Sequence, residues 1–119
     1  MRMPRANLTV LNDRIELERI SENVADAASF LKTIGHEGRL MILCHLVSGE
    51  KSVGTLETLL SARQATVSQQ LSRLRLEGLV SSRRVGKSIY YTLADDRTRK
   101  VLEAICEVFC APVEEERKT

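Results

Sequence analysis

The chain has 119 residues, 43% of them hydrophobic and only 3% aromatic, with no tryptophan and a formal net charge of +2; that is one domain's worth of sequence, with no apolar run long enough for a membrane-spanning helix. A core so poor in rings has to be built from Leu, Ile, Val and Ala, which favours helices. Three cysteines, an odd number, follow an N-terminus that has Arg2 and Arg5 but no apolar stretch, so a cytoplasmic protein with reduced thiols is expected rather than an exported disulfide framework.

Residues 1–13 lack periodicity and read as a flexible arm, ahead of a single domain expected over 14–112. From Ile15, apolar residues recur at Leu17, Ile20, Val24, Ala27, Leu31 and Ile34, which predicts a first helix ending near Gly35. A second, from about Glu37 to Val47, is apolar almost all round through Leu40, Met41, Ile42, Leu43 and Leu46, and so should lie centrally. Ser48-Gly49-Glu50 breaks it. Ser52 is placed to cap a short third helix carrying Val53, Leu56, Leu59 and Leu60. Ser61 with Gln64 has the spacing of a capping box opening a fourth. Two short helices joined by a tight turn form a helix-turn-helix pattern.

The fourth helix shows a narrow apolar stripe, Val67, Leu71 and Leu74, and a polar remainder. Thr66, Ser68, Gln69, Ser72 and Arg73 point away from that stripe. None is a long acid, so the face suits the negative field of a duplex groove. Gly78 supplies a helix stop. A strand from Leu79 to Arg84, a Val85-Gly86-Lys87 turn and a second strand from Ser88 to Leu93 make a hairpin with Arg83, Arg84 and Lys87 near its tip. Asp95 or Asp96 caps a last helix whose apolar side holds Val101, Leu102, Ile105, Val108 and Phe109, with Pro112 as its expected stop and 113–119 as a flexible tail.

Charge follows this division. Residues 1–50 sum to −1, residues 51–94 to +5 and residues 95–119 to −2. A solvated basic face is the plain reading of charge alone. Its coincidence with the helix and hairpin favours a nucleic-acid reader. Gln64, Thr66, Ser68, Gln69 and Arg73 are then the major-groove candidates, and Arg83, Arg84 and Lys87 the wing's phosphate contacts. Gln64 is alternatively occupied by the capping box, and Arg73 by phosphate alone.

The predicted order α-α-α-α-β-β-α is a mainly helical winged helix-turn-helix with a small hairpin. The first and last helices carry more apolar surface than one core needs, so they are expected to pair in a homodimer. Two recognition helices would then sit roughly 34 to 36 Å apart on a pseudo-palindromic operator. No nucleophile, base and oxyanion set occurs, so no enzyme is expected. Gly86-Lys87-Ser88 lacks the preceding glycine of a phosphate loop and is read as a turn. His36 and His45 have no carboxylate at ligand spacing and are read as structural.

Arg39-Leu40-Met41-Ile42-Leu43, Ser52-Val53-Gly54-Thr55-Leu56, Val67-Ser68-Gln69-Gln70-Leu71 and Glu77-Gly78-Leu79-Val80 together resemble the ArsR/SmtB family of small dimeric bacterial repressors, over about residues 20 to 110. Many of its metal sensors place Cys-x-Cys on the third helix, where this chain has Ser52-Val53-Gly54, and others use His and Asp on the last helix, which here contains no His. No metal or other cofactor is therefore expected. Cys44 and Cys110 resemble the pair of the two-cysteine subgroup that senses reactive sulfur species. The resemblance implies a repressor that binds its operator when reduced and leaves it when a persulfide or polysulfide bridges the two thiols. Cys106 falls outside that pattern as an accessory thiol. By itself Cys44, in an apolar helix, reads as a small core hydrophobe. Three alternatives stay open on the residues: a three-thiolate metal or metalloid repressor of the same fold, a DNA-binding member with idle cysteines acting as an activator or anti-silencer, and a winged-helix module that docks on a protein.

Overall fold

The computed structural model describes residues 4–118, with side chains described over residues 16–110. The elements are α1 (Pro4–Ile34), α2 (Glu37–Val47), β1 (Lys51–Ser52), α3 (Val53–Leu60), α4 (Gln64–Leu76), β2 (Val80–Val85), β3 (Ser88–Leu93) and α5 (Asp96–Lys118). The expected order is present, with β1 added. Two compact units divide at Lys32 and Thr33.

The first unit is the bulk of α1, and its apolar stripe is exposed: Leu17, Ile20, Val24 and Leu31 are all more than half exposed. The helix begins at Pro4 rather than near Ile15; proline is tolerated in a first turn, where its missing N–H has no intrahelical partner to lose. At the other end α5 continues through Pro112 to Lys118, where a stop was expected; an interior proline kinks a helix as an alternative to breaking it. The side chains of the expected arm, 1–13, and tail, 113–119, lie outside the described residues.

The second unit is organised by α2. Its residues Ile42, Leu43 and Leu46 are buried, and with Leu56 of α3, Val67, Leu71 and Leu74 of α4 and Leu102 of α5 they form a dry core. The stripe of α4 is therefore its buried face, as its spacing predicts. By contrast α2 is not buried all round. Met41 is 47% exposed and Cys44 is exposed, since at about 100° per residue both sit on the side opposite Leu43 and Leu46.

Caps fix where the helices begin. The Ser52 hydroxyl accepts from the Thr55 amide at 3.0 Å, and Asp95 Oδ1 accepts from the Thr98 amide at 3.2 Å. His36 opens α2, its Nδ1 accepting from the Gly38 amide at 3.2 Å. The expected capping box at Ser61 and Gln64 does not form. Ser61 instead ends α3 in the left-handed conformation, φ 51°, and Arg63 precedes α4 without a side-chain cap. A residue spent on closing one helix is not free to open the next.

The sheet has the order β1-β3-β2, all antiparallel. Val80 pairs with Leu93 and Val85 with Ser88, leaving Gly86 and Lys87 as a two-residue turn with positive φ at Gly86. Strand β1 pairs Lys51 with Tyr91 and Ser52 with Tyr90, which ties the start of the helix-turn-helix to the wing. Arg99 Nη1 donates to the Val47 carbonyl at 2.6 Å, joining the start of α5 to the end of α2 across 52 positions.

Leu71→Ala removes a fully buried side chain at the centre of this core and is expected to lower unfolding free energy by about 2 to 5 kcal/mol. Ser52→Ala, losing only a cap, is expected to lower it by about 1 kcal/mol. Urea denaturation of both variants measures the contrast.

Candidate nucleic-acid interface and thiol cluster

Because Val67, Leu71 and Leu74 are held in the core, the rotation of α4 about its axis is set, and its opposite face is presented outward. Gln64, Thr66, Gln69 and Arg73 are exposed and Ser68 is half-buried. With no capping box formed, Gln64 stands at the first turn with its amide uncommitted to Ser61. Thr66 has a second environment. With Met41, Ile42, Leu60, Val67 and Gln70 it lines a cleft of about 210 Å³ between α2 and the two short helices. Arg73 donates from Nε to Glu77 Oε2 at 3.2 Å, one turn along the same helix.

On the wing, Arg84 and Lys87 are exposed, whereas Arg83 is engaged. Its Nε and Nη2 donate to the two carboxylate oxygens of Glu50 at 2.6 and 2.9 Å, and its guanidinium lies 5.7 Å from the centre of the Tyr90 ring. Hydrogen bonds from Arg83 hold the Glu50 carboxyl below its usual range. Glu50 was invisible as a partner in the sequence, where it marks only a helix break. Strand β1 is what brings it there: the residue just before Lys51 is carried alongside β3 and so reaches Arg83 across the sheet. Of the three wing cations, one is thus balanced by a carboxylate before any phosphate arrives.

The three cysteines lie on two elements that pack together, Cys44 on α2 and Cys106 and Cys110 on α5. All are free and exposed. Surrounding protein raises the Cys44 thiol above its ordinary value by desolvation, and charge on Cys110 raises it further. Cys106 is raised first by the hydrogen bond its S–H donates to Cys110, then by charge on Cys110, with desolvation, Cys44 and Glu107 adding to it. Among the described residues, no group of three His, Cys, Asp or Glu side chains is disposed to hold a metal ion.

Residues 36–82 match the family described as bacterial regulatory protein, arsR family. The biofilm growth-associated repressor of Agrobacterium fabrum is 46% identical over 100 residues, covering 84% of this chain and 86% of that protein. The chain belongs to the ArsR family. Among solved structures, reduced HlyU from Vibrio cholerae superposes with a TM-score of 0.74 at 35% identity, covering 78% of this chain and 98% of that one. The homodimeric winged helix-turn-helix DNA-binding domain of Mb0332 from Mycobacterium bovis does so with a TM-score of 0.69 at 28% identity, covering 82% and 90%. The chain is accordingly an ArsR-family transcriptional regulator with a winged helix-turn-helix, not an enzyme. No helix among the described residues is long and apolar enough to cross a membrane.

Two outcomes are expected from this geometry. Glu50→Gln frees Arg83 for phosphate, so DNA affinity should fall more steeply with salt, the log–log slope growing by about 0.9 for one added contact; fluorescence anisotropy across a salt series measures it. Cys110→Ser removes the charge that raises Cys44, so the pH midpoint for alkylation of Cys44 should move down, the contribution of burial remaining. An unmoved midpoint means the two thiols are not electrostatically coupled.

Proposed function

We propose that the protein is a homodimeric repressor that holds a near-palindromic operator while its thiols are reduced, and lets go when a sulfane-sulfur donor bridges Cys44 to Cys110. The observation that carries this reading is that α2 and α5, tied together by the Arg99 hydrogen bond to the Val47 carbonyl, bear two exposed thiols 66 positions apart in sequence, Cys44 and Cys110, and the charge of Cys110 acting on Cys44 agrees with it. A link between α2 and α5 is one the DNA-reading helix would feel, because Ile42, Leu43 and Leu46 of α2 share a core with Val67, Leu71 and Leu74 of α4.

The bridging chemistry balances with a dialkyl trisulfide as donor. The Cys110 thiolate attacks the central sulfur, one S–S bond breaks and a thiolate departs. Cys44 then attacks the transferred sulfur and expels the second thiolate. Two protein thiols are oxidised to a trisulfide, the donor is reduced to two thiols, and the two protons go to the products. A bridge lengthened by one sulfur reaches further than a plain disulfide, which strains when the Cα atoms exceed about 7 Å.

Exposed stripes support the dimer: Leu17, Ile20, Val24 and Leu31 on α1, with Val108 and Phe109 on α5, present apolar surface to solvent in the single chain. The homodimeric state of the Mycobacterium bovis relative supports it as well. On DNA, Gln64, Thr66, Ser68, Gln69 and Arg73 face the major groove, and Arg84 and Lys87, joined by Arg83 once Glu50 releases it, meet phosphates on the wing.

Gln69→Ala is expected to lower discrimination between operator and altered sequences by about 1 to 3 kcal/mol, whereas Lys87→Ala weakens binding to all sequences and flattens the salt slope. Addition of a dialkyl trisulfide to the wild type should cost operator affinity by about 5 to 150-fold, and Cys44→Ser and Cys110→Ser should keep their operator under the same treatment. A wild type that carries the Cys44–Cys110 bridge by peptide mapping and still binds as before overturns the reading.

A further inference from the structure

The bridge between α2 and α5 uses two thiols of three. Cys106 lies one helical turn before Cys110 on α5, on the same face of that helix, and both thiols are exposed. Side chains four apart on a helix have Cβ atoms about 5 to 6 Å apart, while a plain disulfide spans only about 3.5 to 4.5 Å between Cβ atoms. A disulfide at this pair distorts the helix. One inserted sulfur lengthens the link enough to close it on an intact turn.

We propose that Cys106 is a second resolving thiol, which competes with Cys44 for sulfur-charged Cys110 and closes a trisulfide inside α5. The proposal rests on the preceding reading only in taking Cys110 as the thiol that accepts sulfane sulfur. The Cys110 thiolate attacks the central sulfur of a dialkyl trisulfide; one S–S bond breaks and its electron pair leaves as an alkanethiolate. Cys110 now carries a sulfur ending in an alkylthio group. Cys106 gives its proton to the departed thiolate and attacks the inserted sulfur, and the second alkanethiolate leaves and takes a proton from water in equilibrium with the Cys110 proton released at the start. Two thiols are oxidised, one donor trisulfide is reduced, and no other oxidant enters.

The two outcomes differ mechanically. Resolution by Cys44 ties α2 to α5. Resolution by Cys106 ties together two positions that the helix already holds one turn apart, so sulfur is captured with no new restraint between elements. The third thiol thereby makes the regulator less responsive to a given dose of donor.

The test titrates full-length wild type, Cys44→Ser and Cys106→Ser with a dialkyl trisulfide while operator binding is followed, with intact mass and peptide mapping at one molar equivalent. Cys44→Ser is expected to gain one sulfur less two hydrogens, mapped to a Cys106–Cys110 cross-link. Cys106→Ser is expected to need about half the wild-type donor for half-release, as for two thiols competing on equal terms. An open alkylthio adduct on Cys110 in Cys44→Ser, or a plain disulfide there, overturns the proposal. A Cys106→Ser protein with no bridge to Cys44, or bridged and still bound to the operator, overturns the sensing reading instead; the cross-link in Cys44→Ser decides this proposal in either case.

Discussion

The rest of the molecule depends on one dry seam, in which Ile42, Leu43 and Leu46 of α2 meet Leu56 of α3 and Val67, Leu71 and Leu74 of α4. Each fully buried aliphatic side chain stabilises by about 1.5 to 3 kcal/mol relative to exposure, so slipping α4 by one position would forfeit much of the domain's stability. That penalty fixes which residues of α4 face outward. Functional side chains on the exposed face need no contacts of their own to be aimed, because the buried face does the aiming.

The same helix, α2, has a wet side, and there the chemistry differs. Met41 and Cys44 emerge opposite the seam, and α5, anchored by Arg99 on the Val47 carbonyl, runs past Cys44 to bring up Cys106 and Cys110. One helix thus contributes its apolar face to α4 and bears a thiol on its opposite face. Rigid helices with packed faces transmit small displacements because a close-packed core deforms little. Electrostatics on the wing follows a separate logic, since Glu50 balances Arg83 while Arg84 and Lys87 are left to solvent.

Much of this was legible in the sequence. The stripe of α4, the Ser52 cap, a cap at Asp95 or Asp96 and the hairpin followed from spacing and local hydrogen-bonding chemistry, which act over a few residues, although Val85, expected in the turn, pairs with Ser88 and leaves a turn of two residues. The misses were of two kinds. Ser61 had the spacing of a cap but was claimed by the end of α3, a competition between neighbouring elements that spacing cannot rank. Glu50 with Arg83, Lys51 with Tyr91 and Arg99 with Val47 are long-range partners, and nothing local marks them. Cys44 and Cys110 are equally remote in sequence, and family resemblance, not periodicity, was what related them. Helix ends were misjudged where proline was read as an absolute stop.

The sheet order leaves β2 with one free edge. An unpaired strand is a template for further strands from other copies, and proteins commonly guard such edges with charge. Here the guards are Arg83 and Arg84, adjacent on β2 and therefore on opposite faces of the sheet. Any change that neutralises them to alter DNA affinity also unguards the edge, so the tolerance of the wing to substitution is set by colloidal stability as well as by recognition.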